Sequence, residues 1–263
     1  MKYVSTRSKK NIFNFCETLL TGLAPDGGLL VPQYYPKISP EKLTSFESLS
    51  YAELAYEIIS LYVGDEIKTD LLKKLLNNTY TKKIFNHPTI TPTKKLFNKI
   101  YIQDLSTGPS LAFKDLAMQC LGRLMETSIE AKNQKLTILG ASSGDTVSAA
   151  EEALKNKKNI TLFMLTPENG MSPFQKAQAG TILAPNIFNI SIPGSFDTCQ
   201  DLVKTINQDL DFKEKHNLSA VNSINWGRIC AQIVYYFKGY LSIIPTIGDP
   251  LDIVVPSGNF GNI

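Results

Sequence analysis

Four stretches of this 263-residue chain bring together residue types that could do chemistry or hold a ligand. In DLSTGPSLAFKDLAM, Lys114 falls in the first turn of an amphipathic helix, directly after Phe113 of the apolar stripe. The positive end of a helix disfavours an ammonium. That field, with partial burial, favours a neutral amine free to act as nucleophile or base. A lysine that snorkels to solvent is the plainer alternative. In LGASSGDTVSAAEEAL, Ser142, Ser143, Gly144, Asp145 and Thr146 set hydroxyls and backbone N–H groups at a helix start. Such a loop cradles an anion, or is an ordinary Ser/Asp cap. In VVPSGNFGNI, Gly258 and Gly261 bracket Asn259 and Phe260, so backbone amides can converge on a phosphate or make a tight turn. The pattern is neither G-x-G-x-x-G nor a Walker loop, so neither a dinucleotide nor a nucleoside triphosphate is signalled. In VNSINWGRICAQ, Asn222, Ser223, Asn225 and Arg228 gather at a further helix start, as caps or as substrate ligands.

These loops need elements to position them. From about residue 96, short apolar runs alternate with helical stripes. Strands are expected at Ile100–Gln103, Leu136–Leu139, Ile160–Leu165, Ile187–Ile192 and Asp252–Val255. Helical faces run through Phe113, Leu116, Cys120, Leu121 and Leu124, through Phe196, Cys199, Val203, Ile206 and Leu210, and through Trp226, Ile229, Cys230, Ile233 and Phe237. Strand–helix–strand spacing argues for an α/β fold with a parallel sheet, whose ligands bind at the carboxyl ends of the strands. The first 95 or so residues read instead as helices joined by turns. Ile12, Phe15, Cys16, Leu19 and Leu20 line one that Gly22 can stop. Ser50 and Glu53 have capping-box spacing for a second that Gly64 can end, and Ile67, Leu71, Leu72 and Leu75 line a third. The expected domains are therefore 1–95, mostly helical, and 96–263, the α/β region.

Composition narrows the function classes. Lys and Arg total 27 against 24 acidic residues, a net charge of +3 without any basic block, which argues against a nucleic-acid partner. Only Arg7, Arg123 and Arg228 are arginines, so bidentate phosphate recognition has few candidates. Four scattered cysteines and two distant histidines neither frame disulfides nor suggest a metal site. No secretory h-region or membrane-length apolar run is present, so a cytoplasmic protein with no membrane partner is expected.

The order of the signals is more telling than any one of them. A helix-start lysine, a Ser/Gly/Asp loop and a Gly-Asn-Phe-Gly loop resemble the fold-type-II pyridoxal-phosphate enzymes, the tryptophan-synthase-β-like superfamily. Ser5–Arg7, GLAPDGGLLVP, GPSLAFKD, SSGDT, MSPFQKAQ, SFDTCQDLVK, NSINW and PSGNFG together resemble the threonine synthases. The resemblance implies that Lys114 holds pyridoxal 5'-phosphate and that Phe113 packs near its ring. Gly258, Asn259, Phe260 and Gly261 would hold the cofactor phosphate. Ser142, Ser143, Gly144, Asp145 and Thr146 would grip the substrate carboxylate, with Asn225 and Arg228 as further substrate ligands. The implied reaction converts O-phospho-L-homoserine and water to L-threonine and phosphate, by a monomer or homodimer. Another type-II lyase, such as a threonine dehydratase, and an inactive fragment are the alternatives.

Four departures from that family stand out. Thr107 replaces the usual His before Gly-Pro, Val147 replaces the Gly of SGDTG, and Asn262 replaces the Asp after GNFG. The family also continues well beyond the PSGNFG motif, whereas the sequence here stops at Ile263. An incomplete large domain, weak cofactor binding and little turnover are therefore expected.

Overall fold

The structure is a computed structural model describing residues 1–220, 225–256 and 260–263. Among these residues the chain begins with a small antiparallel sheet of order β2-β1-β3, from β1 (Tyr3–Ser5), β2 (Ile12–Phe13) and β3 (Leu30–Pro32). Helix α1 (Phe15–Thr21) follows β2. It starts three residues after Ile12 because the Asn14 side chain caps it and exchanges bonds with Glu17. Ile12 and Phe13, expected at the head of that helix, are extended and pair with β1 instead.

Helices α2 (Pro40–Thr44), α3 (Tyr51–Val63), α4 (Thr69–Thr79) and α5 (Lys82–Phe85) complete the first third. α3 runs between its expected signals: Ser50 and Glu53 form a capping box at one end, and Gly64, at φ +64°, closes the other. Both α3 and α1 pack on the long helices described next, and the hydrophobic core runs unbroken from Tyr3 to Tyr235.

Strands β4 (Thr93–Phe97) and β5 (Ile100–Gln103) form an antiparallel hairpin, turned at Asn98, whose φ is +46°. This corrects the expectation that Ile100–Gln103 joins the parallel sheet. A short Asn-Lys loop between two runs favours a local partner over a distant one. Helix α6 (Lys114–Glu130) leads into β6 (Leu136–Ala141), α7 (Thr146–Leu154), β7 (Ile160–Pro167), α8 (Pro173–Gly180) and β8 (Ile187–Ile192). α9 (Phe196–Gln208), α10 (Leu210–Lys215), β9 (Leu218–Ser219) and α11 (Trp226–Ile243) follow. The second sheet has order β8-β7-β6-β9 and every pairing in it is parallel. Its central strands alternate with buried helices, as crossover geometry requires.

α6 and α11 run side by side in opposite directions. Gly227, at the start of α11, sits where a Cβ would strike Leu19 and Leu121, while Gly239 near its far end faces Gln103 at the end of β5. The expected strand Asp252–Val255 does not form. Residues 251–256 pair with no strand among the described residues, and Val254 is 92% exposed. An apolar run of that length becomes a strand only when a neighbour supplies the ladder.

Candidate active site

The loop between β5 and α6 is held from both sides before it delivers Lys114. Asp104 accepts from the backbone N–H and hydroxyl of Ser106 at 2.7 and 2.6 Å, and Thr107 donates to the Ile90 carbonyl at 2.6 Å. Further on, the Asp115 carboxylate accepts from the Ser110 N–H and hydroxyl, both at 2.8 Å. Asp115 is fully buried, and Gly108 packs so tightly on it that a Cβ would lie 2.4 Å from the Asp115 Cβ. Burial pushes the Asp115 carboxyl up to about 6, against the Ser110 bonds that favour its charged form. Tyr80 donates to the Leu116 carbonyl at 3.0 Å, tying the first turn of α6 to the helical layer.

Lys114 emerges from this clamp as the first residue of α6. Phe113 occupies the cap position with helical backbone angles, and no side chain caps the helix. The Lys114 side chain is 18% exposed; its Nζ lies 5.3 Å from the Phe113 ring centroid and 3.5 Å from Asp145 Oδ2. The cation is thus met by one ring face and one carboxylate.

Asp145 belongs to the serine loop, where β6 gives way to α7. Ser142 is buried and donates its N–H to the Leu165 carbonyl of β7, and its hydroxyl accepts from the Gly144 N–H at 3.2 Å. Asp145 occupies the cap position of α7 but makes no capping bond. Its side chain turns instead to Lys114 and to Gln175, whose amide donates to Oδ1 at 2.8 Å. Burial works against the charge, but the Gln175 amide and Lys114 ammonium together hold the Asp145 carboxyl below the usual range. Val147 donates its N–H to the Gly144 carbonyl at 3.1 Å, and the absence of a side-chain cap leaves the other N–H groups of the first turn of α7 available to an anionic ligand. Ser143 and Thr146 flank that opening, both half-buried. Val147, the departure at the family's Gly position, points into the core with no exposure, so its bulk is not directed at the loop.

Helix α8 braces both loops. Gln175 reaches the serine loop, and Gln178, one turn later, donates to the Ser110 carbonyl at 2.9 Å in the lysine loop. Neither glutamine was marked in the sequence as a site residue. The readable signal was the spacing of Ser172 and Gln175, which form a capping box.

The described end of the glycine-rich segment, residues 260–263, is bonded to α11. Gly261 accepts from the Gln232 amide at 3.1 Å, and the Asn262 carbonyl accepts from the Tyr236 hydroxyl. Phe260 is largely exposed at φ +52°. Gly258 and Asn259 lie outside the described residues, as do Asn222 and Ser223. Phe113 and Asn262 line one cavity of about 920 Å³, with Gln103, Asp104, Tyr236 and Gly239 between them. The lysine helix start and the terminal turn therefore face common space.

Asn225 and Arg228 stand at the start of α11. Asn225 caps α11, accepting from the Gly227 N–H at 2.9 Å, and its amide donates to the Leu19 carbonyl at 2.9 Å. Arg228 is 1% exposed, and burial lowers its guanidinium to about 10 against the favourable field of Tyr235. Arg228 lies within the electrostatic reach of Tyr235, which lines the cavity. Among the described residues no cluster of His, Cys, Asp or Glu is arranged to hold a metal ion, and no helix is long and apolar enough to cross a membrane.

A pyridoxal phosphate fits what is present. A largely buried primary amine stands beside Phe113, and Phe113 and Asn262 line the same cavity.

Comparison with known proteins agrees. Residues 2–80 match the family described as threonine synthase N terminus. The threonine synthase of Methylobacillus glycogenes is 46% identical over 270 residues, covering all of this chain and 57% of the relative. That of Corynebacterium glutamicum is 44% identical, covering all of this chain and 56% of the relative. A crystal structure of PLP-bound threonine synthase from Brucella melitensis superposes with a TM-score of 0.89 at 40% identity, over 100% of this chain and 56% of that one. Yeast threonine synthase gives 0.89 at 38%, over 99% and 54%. The chain spans somewhat more than half the length of these proteins. In sequence and in fold the chain is similar to the threonine synthases.

Proposed function

We propose that this chain carries the lysine-bearing part of a threonine synthase, a lyase that converts O-phospho-L-homoserine and water to L-threonine and phosphate. The observation that supports this most is the setting of Lys114, an uncapped helix-start amine between Asp145 and Phe113, the latter lining the cavity.

In this reading Lys114 would hold the cofactor through its Nζ, Phe113 would pack near the ring, and Gly258, Asn259, Phe260 and Gly261 would hold its phosphate. When bound, pyridoxal phosphate supplies the electron sink for charge developing at the substrate α-carbon. Ser142, Ser143, Thr146 and the first-turn amides of α7 receive the substrate carboxylate, fixing the α-carbon within reach of the amine. Lys114, once free, takes the α-proton and shuttles protons along the substrate. Loss of the γ-phosphate breaks a carbon–oxygen bond, and the oxygen of water adds at the β-carbon. Asp145 holds the ammonium form of Lys114 in place between transfers. A small-molecule enzyme of the cytoplasm, acting as a monomer or homodimer, accords with four free cysteines.

The test is borohydride reduction of the chain mixed with pyridoxal phosphate, followed by peptide mapping. A pyridoxyl label on Lys114, with threonine and phosphate formed in equal amounts from O-phosphohomoserine, is expected. Ketoacid in place of threonine would assign another lyase. Labelling spread over surface lysines would remove the proposed role of Lys114.

A further inference from the structure

We infer that Gln175 is a positioning residue, one that acts on Lys114 through Asp145 by fixing where the carboxylate beside the amine stands. The inference rests on reading Lys114 as the reacting amine and adds a residue outside both loops.

The geometry leaves the Gln175 amide little freedom. Its oxygen accepts from the Ser172 N–H at 3.1 Å as part of the cap of α8, so its nitrogen must point the other way. That nitrogen donates to Asp145 Oδ1, which turns Oδ2 toward Lys114 Nζ. Gly144 makes the approach possible, because a Cβ there would lie 2.9 Å from the Gln175 amide nitrogen. A carboxylate at a helix start would ordinarily fold back onto the free N–H groups of its own helix. Asp145 does not, because its backbone is helical (φ −58°, ψ −18°) rather than extended, and the Gln175 amide then fixes the freed carboxylate beside Lys114. One side chain thus keeps a counter-charge beside the amine. α8 can serve as the fixed reference because Lys176 donates to the Glu168 carbonyl at 2.8 Å and Gln178 to the lysine loop.

The test reads the amine directly, in the chain without cofactor. Lys114 is labelled with an acylating reagent and the rate is followed by peptide mapping at pH 8 and pH 11. Gln175→Leu keeps the bulk and removes the amide. It is expected to raise the Lys114 rate at pH 8 by about two- to fivefold, the size of one partly exposed ion pair, and to leave the rate at pH 11 unchanged. Asp145→Asn should produce the same rise, and adding Gln175→Leu to it should produce no more, because the effect passes through the carboxylate. Lys176→Ala, which loosens α8 without touching Asp145, should leave the pH 8 rate at the parent value. Additive effects of Gln175→Leu and Asp145→Asn, or an equal rise with Lys176→Ala, would overturn the inference and make Gln175 a structural brace only. So would an unchanged rate with Gln175→Leu in a chain whose far-ultraviolet spectrum and unfolding midpoint match the parent. Borohydride trapping on Lys114 is scored separately, so failure of the cofactor reading and failure of this one give different results.

Discussion

Asp115 follows Lys114 and never reaches the cavity, yet it decides where that neighbour stands. Its carboxylate ties down Ser110, and Gly108 closes over it with no room for a methyl group. Gly108→Ala should therefore cost about 1–3 kcal/mol, read as a lower urea midpoint, and should weaken borohydride-trapped pyridoxyl labelling of Lys114. The placement of Lys114 at a helix start was legible in the sequence, from the apolar stripe that follows it. Its supports were not. Asp115, Gln175 and Gln178 act through contacts with residues up to 68 positions away, and composition is silent about such contacts. Phe113 and the serine loop could be found because they adjoin recognisable helix starts. Asn225 carried a cap signal that the fold uses, since it accepts from the Gly227 N–H.

Among the elements, the helix boundaries with local chemical causes were readable: the capping box of α3 and the glycines that end α1 and α3. Strand membership was not, because pairing depends on partners. Ile100–Gln103 found a nearer strand and 252–255 found none. α1 carries a support that no local pattern shows. Its first N–H groups, of Phe15 and Cys16, donate to the Glu66 carboxylate at 2.7 and 3.0 Å. Glu66→Ala should lower stability by about 1 kcal/mol in urea unfolding. α7 carries a cost instead. Its Glu151 is fully buried, and that burial pushes the carboxyl up to about 7, against Asn189 and with help from the Glu152 charge. The folded state then binds this proton more tightly than the unfolded chain, so stability from this group falls as pH rises from about 4.5 toward 7. Glu151→Gln should match the parent near pH 4.5 and exceed it by on the order of 2 kcal/mol at pH 8, measured by thermal unfolding at both values.

At the scale of the molecule, apolar surface gathers where the fold lacks cover. Leu96, Phe97, Ile100 and Ile102 of the β4–β5 hairpin are 46–58% exposed on a two-stranded ribbon. Such a patch is a place of association. Ile100→Thr combined with Ile102→Lys should reduce light scattering of the concentrated chain and leave its helical signal unchanged. The interior is organised differently, since the first 95 residues share one core with α6 and α11 rather than enclosing their own. A peptide of residues 1–95 should therefore show little cooperative melting. The amide of Asn225 shows what this means for a protein made from one end. It reaches back 206 residues to the Leu19 carbonyl, and the glycine after Trp226 seats against the Leu19 side chain. On the ribosome, α1 through α4 emerge first and wait on the order of ten seconds for the helix that roofs them. For that interval their greasy faces depend on chaperones, or on the exit tunnel, for shelter.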